Sequence, residues 1–212
     1  TAGLTKWLRW KISTPLFYLG SKQPSWMSEL SYLVFRIFRR SHSILSNQIG
    51  GDNFLANLLV RFRSFFLASH FLFIGRDRYR RYRLAKKLSD KGSIVIFDRF
   101  PFFSPMDGPE IRTRLKNDIG FVTRKQANIE EKMYRKFDYL DLLIILHVKP
   151  EDSVLRKPDH PLETIQAKFN AINRLKDELE TNKRNFVWTT IESDQPLDKV
   201  LLDIKREVWK TL

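Results

Sequence analysis

One stretch constrains the fold of this chain more than any other: residues 93–100, which read SIVIFDRF. The segment SIVIF is an apolar run of about five residues, which suits a strand buried on both faces, as strands of parallel sheets are. Asp98 and Arg99 follow it at once, and packing alone explains two charged residues there poorly. Since ligands bind beyond the carboxyl ends of parallel strands, this pair predicts a binding crevice.

Strand-like and helix-like segments alternate along all 212 residues. Such alternation implies right-handed crossovers and a parallel sheet, so we predict an α/β fold with long helices between strands. We also predict one domain that covers residues 1–212. Periodicity and punctuation place the other strands at residues 15–19, 142–148 and 186–191. Helices are predicted from the start to residue 12 and over residues 26–45, 54–88, 110–118, 121–137, 150–157, 161–181 and from 196 onward.

Two helices carry features that bear on packing. In the helix over residues 26–45, Leu30, Leu33, Val34 and Ile37 share one stripe. In the helix over residues 54–88, Gly75 predicts either a bend or a close approach to the backbone.

The charge balance predicts an anionic partner. Lys and Arg number 38 and Asp and Glu 24, a net charge of +14. Such a surplus favours a nucleotide, a polyphosphate, nucleic acid or an acidic membrane surface, and the charge by itself does not select among them.

Several classes of protein are disfavoured. The chain has no cysteine, which excludes a disulfide framework, thiolate zinc sites and cysteine catalysis. The longest apolar stretch, residues 65–74, falls short of the roughly 20 residues of a membrane span, so we expect a buried helix and no span. With no signal-peptide pattern at the start, the cytoplasm is the expected compartment. His147 and His70 lie in apolar segments and are expected to be satisfied core histidines.

Arginines gather on the helix that precedes SIVIF. Arg76 and Arg80 lie on one helical face with Arg83 and Lys87, while Arg78 and Arg81 lie on another. One interpretation is that the first arginines reach a nucleotide base or phosphate, with Phe73 stacking on the base. The other interpretation is a solvated basic face.

Three charged residues suit phosphoryl transfer. Asp98 is a candidate to hold Mg²⁺ through water or to accept a proton, and Arg99 a candidate to bind phosphoryl oxygens bidentately. Arg156 lies in a loop-prone stretch and is either a cation that closes over the phosphates or an ordinary surface charge.

Three segments together resemble the thymidylate kinases and related deoxynucleoside kinases. They are FLFIGRDRYRRYRLAKKLSDKGSIVIFDRF, LLIILHVKPEDSVLRK and NFVWTTIESDQPLDKVLLDIKREVW. The MDGP sequence at 106–109 also follows the Asp-Arg pair in a bacterial thymidylate-kinase-like group. The resemblance covers most of the chain from about residue 54 onward, and residues 7–21 also look like that group's first helix and second strand.

The resemblance implies a three-layer α/β/α fold of the P-loop nucleoside-triphosphate hydrolase type, with a lid near residues 150–165. It implies transfer of the γ-phosphoryl group of ATP to a nucleoside monophosphate such as dTMP or a related acceptor, with Mg²⁺ as a cofactor. By position in the motifs, the catalytic residues would be Asp98, Arg99 and Arg156, with Asp98 also holding the metal through water. Acceptor binding would fall to Phe73, Arg76, Arg80 and Phe100.

The chain departs from that family in two places. The phosphate-binding loop G-x-x-x-x-G-K-[ST] is absent, and we expect the chain to begin inside the helix that follows it, with Thr1 as the hydroxyl residue closing the motif for ATP. Upstream residues are therefore expected in the natural protein. The second strand ends in LGSK at residues 19–22 instead of the family's EPGGT, which makes dTMP a less secure acceptor.

Two alternatives remain beside an active kinase. One is a catalytically inactive, kinase-like nucleotide-binding or interaction module. The other is a polyanion-binding protein that uses the basic helix around residues 76–83, with affinity that falls steeply with salt. The partners compatible with the sequence are a nucleotide substrate, a second copy of the chain in a homodimer and, with weaker support, nucleic acid.

Overall fold

The structure is a computed structural model, and it describes residues 2–9, 14–20, 25–49, 54–101, 108–115, 120–137, 140–156, 159, 161–181 and 186–212. Within these residues the chain forms eight helices and four short strands. Thr1 lies outside the described residues, as do the Met106 and Asp107 of the MDGP sequence. In chain order the elements are α1 Ala2–Leu8, β1 Leu16–Tyr18, α2 Trp26–Ile49, α3 Phe54–Ser89, β2 Ile96–Asp98, α4 Ile111–Arg114, α5 Phe121–Tyr134, β3 Leu142–His147, α6 Pro150–Arg156, α7 Leu162–Thr181, β4 Val187–Glu192 and α8 Leu197–Thr211.

The strands pair in parallel, as the alternation of elements predicts. β3 and β4 are in register from Leu142 opposite Val187 to His147 opposite Glu192. In the other pair, Ile96 N donates to Pro15 O and Leu19 N donates to Asp98 O, so the ladder advances in the same direction along β1 and β2. The class, a mixed α/β chain with parallel strands, is confirmed. In the described residues the strands form two sheets of two strands each, and a single three-layer sheet stays a prediction.

Most helices follow the sequence pattern closely, but α4 ends at Arg114, short of the predicted residue 118. The strand after α3 is shorter than expected, and it is half-buried where burial on both faces was predicted. Residues 93–95 precede the ladder without joining it, and Asp98 is itself the last strand residue. The end of α3 is the one predicted: Gly92 N bonds to Ser89 O at 2.8 Å, and Gly92 has a φ of +84°, a left-handed conformation that glycine adopts without strain.

The chain divides into two compact units. The first contains residues 1–16, 89–96 and 138–212, and its core lies where α1 and α8 pack on β3 and β4. Val200 and Ile204 of α8 are buried at the helical spacing that the sequence predicts. The buried members of this core are Leu4, Leu8, Ile191, Val200 and Ile204.

The second unit contains residues 17–88 and 97–137, and thus α2, nearly all of α3, α4 and α5. Its buried core consists of Ala68, Ile111, Leu115 and Ala127. α3 continues unbroken through Gly75, where an added Cβ would lie 2.6 Å from Met133 Cε and 3.1 Å from a ring carbon of Tyr134. Of the two roles predicted for Gly75, the close approach is therefore the observed one, because it lets α5 pack against the α3 backbone.

The two histidines expected in the core behave differently. His70 Nδ1 lies 2.9 Å from both the hydroxyl and the carbonyl oxygen of Ser28, so it joins α3 to α2 as a satisfied histidine. His147 Nδ1 lies 2.9 Å from the Glu192 carboxylate, and its ring packs on Phe169 at 5.1 Å. His147 Nε2 is buried and has no hydrogen-bond partner among the residues that the structure describes. His147 is therefore satisfied at Nδ1 but not at Nε2.

One helix of the described residues, Leu58–Ser89 within α3, is long and apolar enough to cross a membrane by length and composition. In its apolar window 28% of the residues are buried within the protein. A single helix of this kind is weak evidence for a span, because the core helix of a soluble protein passes the same test.

Candidate functional site

The carboxyl ends of β1 and β2 meet at one edge, because the two strands are parallel. Leu19 N donates to Asp98 O at 2.9 Å, which sets the end of β1 beside the end of β2. Gly20 lies two residues after the end of β1, and a Cβ placed on it would lie 2.9 Å from Arg99 Cδ. We call these residues, Tyr18 to Gly20 with Asp98 and Arg99, the β1–β2 edge.

Arg99 has an unusual backbone. Its φ is +59°, the only positive φ of a non-glycine residue in the described part of the chain. For a residue with a Cβ this conformation costs about 1–2 kcal/mol, and such strain is concentrated at functional sites. Asp98 is the last residue of β2 and Arg99 follows it, so an acid and a guanidinium stand at the same strand end.

The two side chains differ in exposure. Arg99 is exposed, and Asp98 is half-buried. No described residue donates a hydrogen bond to the Asp98 carboxylate or forms an ion pair with it, which leaves its oxygens available to a ligand.

Tyr18 adds a hydroxyl group to the same edge. The hydroxyl is buried and lies against Gly20, and no residue in the described ranges forms a hydrogen bond with it. A buried hydroxyl without a partner costs roughly 1–3 kcal/mol, so Tyr18 is a candidate for a contact with a ligand. Sequence analysis did not find Tyr18, because a tyrosine in a short strand is ordinary there.

The arginines of α3 that face the protein interior are not the ones that the sequence favoured for binding the acceptor. Arg76 and Arg80 are exposed, whereas Arg78 is only 1% exposed and Arg81 is half-buried. Arg81 donates from Nη1 to Tyr18 O at 2.8 Å, which ties α3 to the β1–β2 edge.

The two aromatic residues proposed for the acceptor are half-buried, and Phe100 sits in a cluster of rings. Its centroid lies 5.3 Å from that of Phe97, 6.1 Å from Tyr82 and 6.1 Å from Phe137. Phe100 therefore packs among these rings, directly after the end of β2. Phe73 is half-buried on α3.

Arg156 belongs to the first unit, where it is the exposed last residue of α6. Asp98, Arg99, Phe100 and the α3 residues all belong to the second unit. Lys157 and Pro158, which follow Arg156 in the predicted lid, lie outside the described residues.

A buried polar network supports this unit. Arg78 Nη1 donates to the Tyr134 hydroxyl at 2.5 Å, and Glu130 accepts hydrogen bonds from Glu110 N and Ile111 N at 3.0 and 2.9 Å. Burial raises the pKa of Glu130 from its ordinary 4.5 to about 7, against the opposing effect of those two N–H groups and of Arg78. Glu130 thus holds the start of α4 against α5.

The raised pKa predicts a pH dependence of stability. The folded protein keeps the Glu130 proton up to about pH 7, whereas the unfolded chain loses it near 4.5, so the folded state binds more protons between these values. The free energy of unfolding should therefore fall by about 3 kcal/mol from Glu130 as the pH rises from 4.5 to 7. Urea denaturation at a series of pH values measures it.

Glu130→Gln should flatten that part of the profile, since glutamine does not titrate. The substitution also places an amide NH₂ against a backbone N–H donor. We therefore expect the free energy of unfolding to fall by about 1–2 kcal/mol at every pH. Glu163→Gln, an exposed glutamate of α7, is the matched control and should leave the slope unchanged. A difference profile without slope between the wild type and Glu130→Gln would refute the assignment.

Gly20→Ala tests how tightly the β1–β2 edge is packed. The new methyl group would overlap the Tyr18 hydroxyl and crowd Arg99 Cδ at 2.9 Å, and a tyrosine ring in a strand has little room to yield. We expect a loss of about 1–3 kcal/mol in the free energy of unfolding, measured in urea. Gly120→Ala is the control: nothing lies within 4 Å of its added Cβ, and its loss should stay below about 1 kcal/mol.

Among the described residues, Asp98 is the candidate ligand for Mg²⁺. No group of three or more His, Cys, Asp or Glu side chains among the described residues forms a protein-only metal site. Mg²⁺ is usually held by one or two carboxylates together with water and substrate phosphates, and Asp98 supplies one such carboxylate. Asp98 therefore fits a metal that arrives with a nucleotide.

Comparison of the chain with protein-family models, with curated proteins and with solved structures finds no match in any of the three.

Proposed function

We propose that this chain is the nucleotide-kinase domain of a P-loop phosphotransferase with a three-layer α/β/α fold, which transfers the γ-phosphoryl group of ATP to a nucleoside monophosphate or a related acceptor. The observation that carries the proposal is the pair Asp98 and Arg99 at the end of a parallel strand, with Arg99 held at a φ of +59°. The resemblance of the flanking segments to thymidylate kinases supports it, as does the positive net charge.

The residues of the β1–β2 edge act on the acceptor. Arg99 binds phosphate oxygens through its planar fork of donors and offsets their charge. Asp98 orients the attacking oxygen and takes its proton where that oxygen carries one. The Tyr18 hydroxyl donates a hydrogen bond to the bound acceptor, which relieves the cost of its burial.

The proposed phosphoryl donor is ATP with Mg²⁺. ATP contributes the phosphoryl group and leaves as ADP, and Mg²⁺ would offset the charge of the phosphates, with Asp98 as its carboxylate through water. Arg156 is the proposed lid cation, on the basis of the sequence pattern. The compartment proposed for this activity is the cytoplasm. The chain contains no G-x-x-x-x-G-K-[ST] sequence, so none of its described residues is assigned to the phosphates of ATP.

A thermal-shift screen of the natural full-length protein against nucleosides and nucleoside monophosphates tests the binding step. A ligand that binds only the folded state at about one hundred times its Kd adds about 2.7 kcal/mol, which raises the Tm of a protein of this size by several degrees. We expect one acceptor class to produce this shift, and the same acceptor to increase ADP formation from ATP. A flat screen across all acceptors would contradict the proposal.

The second candidate is a kinase-like module that binds a nucleotide through the same strand-end residues, Asp98 and Arg99, without chemistry. It predicts the same thermal shift with no ADP formed above the rate without an acceptor. The coupled assay for ADP separates the two functions directly.

A further inference from the structure

α2 has an apolar stripe that faces away from the rest of its unit. Its members follow one another at spacings of four, three and four residues, which places them on one face of the helix. They are Trp26, Leu30, Leu33 and Ile37, and their exposed fractions are 68%, 51%, 53% and 54%. A stripe of large apolar side chains, each more than half exposed, is expected to have an external partner.

The inward face of α2 lies on the opposite side of the helix from the stripe. Ser28, Ser31 and Phe35 are buried there, and Ser28 bonds to His70 of α3 at 2.9 Å. The packing of α2 within the protein is thus already satisfied without the outward stripe. Val34, which the sequence places with Leu30 and Leu33, is half-buried between the two faces.

Basic residues border the stripe. Arg36 and Arg40 are exposed, and along the helix they lie to one side of Leu33 and Ile37. α2 carries three arginines, Arg36, Arg39 and Arg40, against one acidic residue, Glu29, and all four are exposed. Such a surface attracts an anionic partner, whereas a second copy would bring the same arginines together and repel.

We propose that the outward stripe of α2 docks on the surface of a membrane that contains anionic phospholipids. The apolar side chains enter the boundary between headgroups and acyl chains, and the arginines contact lipid phosphates, as in amphipathic helices that lie in the membrane plane. Trp26, at the first turn, is a residue type that favours this interface. The inference stands independently of the proposed kinase activity.

Vesicle flotation of the whole chain tests it. We expect the protein to float with phosphatidylcholine vesicles that contain about one third phosphatidylserine, and to float far less with phosphatidylcholine alone or at high salt. Ile37→Ser should lower the partition coefficient about fivefold to tenfold, because it removes a side chain that enters the lipid. Arg36→Gln should lower it roughly fivefold.

Two control variants lie on α5 of the same unit. Ile129 is 54% exposed, as Ile37 is, so Ile129→Ser matches Ile37→Ser in residue type and exposure. Arg124→Gln is the matched control for Arg36→Gln, since both arginines are exposed on helices. Each control should change partitioning less than about twofold. Because all four side chains are exposed, the urea midpoints of the variants should match the wild type.

Three results would overturn the proposal. One is equal loss of flotation in Ile37→Ser and Ile129→Ser. Another is flotation that does not depend on phosphatidylserine. The third is a dimer, seen by analytical ultracentrifugation, that Ile37→Ser dissociates while the wild type fails to bind vesicles; the stripe would then be a contact between two copies of the chain.

Discussion

Asp98→Asn should lower acceptor-stimulated ADP formation by the full-length protein by about a hundredfold or more, because a positioned carboxylate contributes about 10²–10⁴ to proton transfer and charge placement. The substitution keeps the shape of a half-buried side chain and removes its charge. The Asp98 carbonyl, which accepts the bond from Leu19 N, is unaffected, so the β1–β2 edge should stay folded. A coupled assay for ADP with the acceptor found by the thermal-shift screen measures the effect.

Asp90→Asn is the matched control for this result. Asp90 is an exposed carboxylate in the turn after α3, outside the β1–β2 edge, and its replacement should leave turnover within about twofold. Comparable turnover in Asp98→Asn and Asp90→Asn, with unchanged urea midpoints, would remove Asp98 from the proposed mechanism. A lower urea midpoint for Asp98→Asn alone would assign the residue to stability instead.

Arg78→Met should lower the free energy of unfolding by about 3–5 kcal/mol, which corresponds to a fall of roughly 10 °C in Tm. Arg78 is 1% exposed, and it donates to the Tyr134 hydroxyl at 2.5 Å. Methionine fills much of the same space but leaves that hydroxyl and the Glu130 carboxylate without the positive charge that opposes the rise in the pKa of Glu130. Urea denaturation near neutral pH gives the difference.

A second readout separates the loss of charge from a loss of packing. Without Arg78 the pKa of Glu130 should rise further, so the dependence of stability on pH should extend above pH 7. Arg80→Met, two residues along the same helix and exposed, should change stability by no more than about 0.5 kcal/mol. If Arg78→Met and Arg80→Met lowered the free energy of unfolding equally, the buried position of Arg78 would not contribute to stability.

The helices and the parallel pairing of strands could be predicted because both depend on local pattern. Period and punctuation placed α8, α7 and α3 to within a few residues, and the alternation of elements required parallel strands. Asp98 and Arg99 could be singled out for the same reason, since two charged residues directly after an apolar run can be recognised from the sequence. The catalytic and binding roles assigned to the candidate residues remain predictions.

The orientation of α3 was not predictable in this way. Arg76 and Arg80 share one helical face, and Arg78 and Arg81 another, so the charge pattern is nearly the same on both. Contacts from other elements decide between them: Tyr134 of α5 receives Arg78, and the carbonyl of Tyr18 receives Arg81.

By itself, the sequence determined which segments are helices, that the strands run in parallel, and that an acid and a guanidinium stand at the carboxyl end of β2, because these properties follow from neighbours along the chain. Only the tertiary structure decided that Arg78 is buried, that the Tyr18 hydroxyl faces Gly20, and that the apolar stripe of α2 faces outward. The physical reason is that burial depends on which elements pack together. On α2 the face with Ser28 and Ser31 allows the closer approach to α3.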